Sequence, residues 1–147
     1  MHTLPRSARW LGLAGLIPFF ATIFLAAYGP EELEGFAMAA LGTYGAVILS
    51  FLGAVHWGLA LADPAGRGAL GRLLLGVLPA LVAWVALLLE PGHSLLALGL
   101  GILGTAGVET LANRRGLLPP GYLALRWVLS IGAATCLLAG AWWFWGY

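Results

Sequence analysis

Long apolar stretches broken by short polar punctuation dominate the chain. Five of them run at about residues 10–28, 36–62, 70–89, 94–112 and 122–145. Each is near the ~20 residues that a helix needs to cross the ~30 Å hydrocarbon layer of a bilayer. The segments between them, GPEELEG, DPAGRG, EPGH and NRRGLLPPG, hold most of the charge, and their proline and glycine content marks breaks. The pattern predicts an all-α polytopic membrane protein, a bundle of five transmembrane helices in a single domain spanning residues 1–147. No internal repeat is evident. Arginines precede the first apolar segment, as in a signal peptide, but no small-residue cleavage site follows, so that segment reads as a retained first helix.

Composition agrees. Of 147 residues, 61% are hydrophobic and 9% charged, against roughly 25% charged in soluble domains. A net charge of +1 argues against a nucleic-acid partner and leaves the lipid bilayer as the first one. The lone Cys136 excludes an internal disulfide and cysteine-based metal or iron–sulfur centres. All basic residues are arginine, and their placement predicts orientation. Arg6, Arg9, Arg67, Arg72, Arg114, Arg115 and Arg126 fall at one end of the spans; Glu31, Glu32, Glu34 and Glu90 fall at the other. By the positive-inside rule the N-terminus is cytoplasmic and the C-terminus outside. Trp10, Trp57 and Trp127 then form a cytoplasmic aromatic belt, and Trp142, Trp143, Trp145 and Tyr147 an outer one.

Small residues mark helix interfaces in lipid. The second span carries Gly42, Ala46, Ser50, Ala54, Gly58 and Ala62 at a spacing of four, a candidate packing ridge. The fourth has Ala97, Gly101 and Thr105 leading to Glu109, and the fifth has Gly132, Cys136 and Gly140. His56 lies on the opposite side of the second helix, on a stripe with Gly45, Leu49, Leu52 and Gly53, so that helix reads as central. Pro18 and Pro79 are expected to kink the first and third spans or to free a carbonyl.

Three ionisable residues fall inside spans, where each costs about 2.5–3.5 kcal/mol on insertion scales. His56, Glu109 and Arg126 all lie within roughly 5–9 Å of the cytoplasmic boundary at 1.5 Å per residue. One reading is a polar pocket open to the cytoplasm: Arg126 as anion or headgroup ligand, Glu109 its counter-charge, His56 a proton-exchanging group. A second is a Glu109–Arg126 ion pair pinning two helices, with His56 bonded to a backbone carbonyl. In a third, Arg126 snorkels to the interface. Trp57, Ser50 and Trp84 are candidate pocket lining. No HExxH, no second intramembrane histidine, no Walker or GxGxxG motif and no paired carboxylates are present, so no metal site is expected and no cofactor is indicated.

LGLAGLIPF at 11–19, YGAVILSFLGAVHWGLAL at 44–61, PALVAW at 79–84 and YLALRW at 122–127 together resemble the small integral-membrane family called domain of unknown function 3429, the transmembrane protein 69-like proteins. The Ser-Phe-Leu-Gly…His-Trp-Gly string is the specific part. Glu109 stands where the family usually has aspartate, and Ser130 where it usually has threonine. The resemblance implies a bacterial or mitochondrial inner membrane setting and supplies no activity. The leading functional expectation is an accessory or assembly component of an inner-membrane complex, or a homo-oligomer, acting through helix–helix contacts. The alternative is a protein that binds or transports a small ligand, lipid headgroup or proton at His56, Glu109 and Arg126. An enzyme using His56 as general base has no accompanying nucleophile.

Overall fold

Proline and glycine set most of the helix ends. The computed structural model describes residues 5–62, 68–113 and 121–146. These form α1 (Arg6–Ala14), α2 (Ile17–Tyr28), α3 (Glu31–Ala62), α4 (Ala69–Leu87), α5 (Pro91–Ala112) and α6 (Tyr122–Trp145), with no strand among the described residues. Five helical segments, α1–α2 together and α3 to α6 singly, are long and apolar enough to cross a membrane. Arg67, Arg114, Arg115 and Tyr147, used above for orientation and the outer belt, lie outside the described residues.

Boundaries differ from expectation where charge obscured a helix start. α3 begins at Glu31, five residues before the expected point, with Glu31, Glu32 and Glu34 in its first turn. Carboxylates there complement the exposed N–H groups of the helix terminus. At 32 residues α3 is about 48 Å long, longer than the ~30 Å hydrocarbon layer is thick. α5 starts at Pro91, a residue suited to a first turn because its missing N–H is not needed there. α4 and α6 each follow a glycine at positive φ, Gly68 at 94° and Gly121 at 83°, a conformation that costs other residues about 1–2 kcal/mol.

The two intramembrane prolines act differently. Pro18 sits in the first turn of α2, and the first span is broken at Gly15–Leu16. There the Tyr44 hydroxyl of α3 donates to the Gly15 carbonyl at 2.9 Å, and the Tyr44 ring meets Phe19 edge-on at 4.9 Å. α4 instead runs unbroken through Pro79.

α3 touches α2, α4, α5 and α6 and is the central helix. Its buried stripe is the one that carries His56: Gly42, Gly45, Leu49, Gly53, His56 and Ala60, in steps of three and four that together keep to one helix face. Within the single chain the spacing-of-four ridge is buried only at its start. Gly42 and Ala46 are buried, Ser50 is half-buried, and Ala54, Gly58 and Ala62 are exposed. Each step of four overshoots a full turn by about 40°, so five steps carry the ridge about 200° around the helix and out of the interface. α3 and α4 meet backbone to backbone at Gly53 and Gly76: a Cβ on Gly53 would strike the Gly76 carbonyl, and one on Gly76 the Trp57 indole.

Candidate functional site: a buried histidine–glutamate–arginine cluster

Three helices contribute to one polar cluster. α5 supplies Thr105 and Glu109, four apart and so on one face; α6 supplies Tyr122, Arg126 and Ser130 at the same spacing. α3 supplies His56 from its buried stripe. Arg126 Nε donates to Glu109 Oε2 at 2.8 Å. Its terminal nitrogens donate to Ser130 Oγ at 3.0 Å and Thr105 Oγ1 at 2.8 Å, and Thr105 in turn donates to the Ile102 carbonyl at 2.8 Å. The Tyr122 hydroxyl lies 3.5 Å from Glu109 Oε2. Exposure is 4% for Arg126, 1% for Glu109 and 8% for His56.

Snorkelling is thereby excluded, since Arg126 turns into the bundle. The ion pair is present, but His56 does not turn to a backbone carbonyl. Its Nε2 faces Glu109 Oε1 at 3.6 Å, beyond hydrogen-bond reach. Glu109 Oε1 is buried and has no hydrogen-bond partner among the described residues. Arg126, with three contacts inside the protein, is also unlike the open anion ligand of the pocket reading.

A cavity lies on each side of the cluster. The larger, about 300 Å³, is bounded by the α1–α2 break, α3 and α6 and includes Arg126 and Ser130. The smaller, about 210 Å³, lies among α3, α4 and α5 and includes His56 and Thr105. The expected lining residues are elsewhere. Ser50 donates to the Ala46 carbonyl of its own helix at 2.8 Å. Trp57 donates to the Leu73 carbonyl at 3.1 Å, pinning α3 to α4. Trp84 is 62% exposed, and none of the three lines either cavity.

Sequence reasoning brought His56, Glu109 and Arg126 together through their shared depth. It missed Tyr122 and used Thr105 only as a packing residue; both are four residues from a charged partner, which was the available signal. Two tryptophans assigned to belts also cross-link helices. Trp127 donates to Thr110 Oγ1 at 3.0 Å, and Trp143 to Glu34 Oε1 at 2.8 Å near the opposite end of the bundle.

Fold and site together define a class: a polytopic helical membrane protein whose interior holds a paired arginine and glutamate against a histidine. Within that class, the chain belongs to the family described as Protein of unknown function (DUF3429), which matches residues 4–142. It is 38% identical over 144 residues to Transmembrane protein 69 of Xenopus tropicalis, covering 91% of this chain and 53% of that protein. It is 35% identical over 104 residues to Transmembrane protein 69 of Mus musculus, covering 67% and 42%. The chain thus spans about half the length of the curated relatives it matches. No solved structure matches.

Proposed function

We propose that this protein binds a small ligand within the bacterial inner membrane, N-terminus in the cytoplasm and C-terminus outside, at the level of His56, Glu109 and Arg126. The observation that carries the reading is the apolar cavity of about 300 Å³ beside the cluster, into whose lining the buried Arg126 and Ser130 bring polar groups. Apolar walls with a few convergent polar groups are the usual chemistry of a ligand site. The smaller cavity on the other side of the cluster supports the same reading.

A second reading, the accessory or assembly component, is favoured by one surface. Ala54, Gly58 and Ala62 are exposed on α3, and a Cβ on Gly58 would meet nothing within 4 Å. A partner helix can approach such a face closely.

Gentle extraction into lipid nanodiscs followed by native mass spectrometry separates the two. The expected result is a small non-protein molecule retained at about one per chain. A stoichiometric protein partner with no small molecule overturns the ligand reading in favour of the accessory one. A bare chain overturns both.

A further inference from the structure

The larger cavity is apolar at every wall but one. Leu11, Leu16, Phe19, Phe51 and Leu129 are among its sides, while Tyr122, Arg126 and Ser130, all on α6, supply its polar groups. Their spacing of four sets all three on one helix face. A volume of about 300 Å³ lies at the small end of ligand sites, and apolar walls with a few convergent polar groups are their usual chemistry.

The chemistry of the head group follows from Arg126. A guanidinium has five N–H donors. One goes to Glu109, one to Ser130 and one to Thr105, so two have no partner among the described residues on a side chain that is 4% exposed. Its charge, by contrast, is already compensated by Glu109 at 2.8 Å. A phosphate or a free carboxylate would arrive as a second anion beside Glu109, where low dielectric strengthens repulsion. An uncharged acceptor meets no such repulsion and satisfies a buried donor. Ser130, which accepts from Arg126, keeps its own O–H to donate.

We infer that this cavity receives the carbonyl end of an uncharged, bilayer-dissolved molecule, a quinone ring or a fatty ester, with Arg126 and Ser130 as donors and the apolar walls around its body. The inference rests on the ligand-binding reading above and names the ligand's chemistry.

The test uses the full chain in nanodiscs of ether-linked lipid, which carry no ester carbonyl. Its thermal midpoint is followed as a short-chain quinone, methyl decanoate or decyl phosphate is added. A saturable rise with the quinone or the methyl ester is expected, and the responding compound identifies the source of the carbonyl. Decyl phosphate should need at least tenfold more for half-saturation. Ala133→Leu, which fills the cavity from a residue outside the polar cluster, should abolish the response. Should that variant fail to fold, Ser130→Ala serves instead, with half-saturation weakened about tenfold. No response to either carbonyl compound, an equal response to decyl phosphate, or a response unchanged in the folded variant overturns the inference. In each of those cases a small molecule still retained in native mass spectrometry leaves the ligand-binding reading standing.

Discussion

Within the bundle, Glu109 and Arg126 form a buried pair at 2.8 Å. Removing one partner strands the other, at about 3–5 kcal/mol for a buried pair. Glu109→Gln should therefore lower unfolding stability in mixed micelles by about that much. The double variant Glu109→Gln/Arg126→Gln should lose clearly less than the sum of the two single variants. His56 stands 3.6 Å from Glu109 Oε1 and makes no bond there, so His56→Gln should cost no more than about 1 kcal/mol. A loss as large as that of Glu109→Gln would mean that His56 carries the cluster. The three charged or chargeable residues were legible in the sequence because an ionisable group stands out in an apolar helix. Thr105 and Ser130 were not, because a serine or threonine hydroxyl in a helix has its own backbone carbonyls for partners, as Thr110 and Ser50 show. Which hydroxyls turn to a neighbouring helix depends on rotations about the helix axis that a sequence does not display.

Helices pack where their faces run straight, and glycine matters only on those faces. Gly53 and Gly76 let α3 and α4 approach to backbone contact. Ala at either position must drive the helices apart or displace Trp57, a backbone clash worth several times the ~1 kcal/mol of an ordinary helix substitution. Gly58→Ala, on the exposed side where a Cβ meets nothing, should be neutral or slightly stabilising. Pairs of introduced cysteines across α3 and α4 would report the difference: cross-linking should fall with Gly76→Ala and persist with Gly58→Ala. An equal effect of both would restore the spacing-of-four ridge as an interface of the single chain. Tyr44→Phe makes a finer test at the α1–α2 break. It removes one hydrogen bond to the Gly15 carbonyl and should cost about 1 kcal/mol while the Phe19 contact remains. Element existence was legible from apolar run length. An interruption of the first span was legible from Pro18; the burial of Gly53 over Gly58 was not, because it depends on which neighbour a face meets.

Charge divides the molecule end to end. Among the described residues Arg6, Arg9, Arg72 and Arg126 fall toward one end of the five crossings, while Glu31, Glu32, Glu34 and Glu90 fall toward the other. Arg126 is tied to Glu109 inside the bundle, so the orienting charge rests on the arginines outside it, which insertion reads in short connections near the span ends. With five crossings the termini lie on opposite faces of the membrane. A reporter fused after residue 146 in a bacterial host should therefore behave as exported: alkaline phosphatase active, green fluorescent protein dark. The reverse pattern would invert more than a label. His56, Glu109 and Arg126 all lie toward the arginine-rich end, so orientation decides which compartment the cluster is near and from which side a proton or polar head group reaches it. A ligand in the larger cavity would lie beside Arg126 and Ser130 in either orientation. Its carbonyl would then stop near the cytoplasmic boundary in one orientation and near the outer boundary in the other.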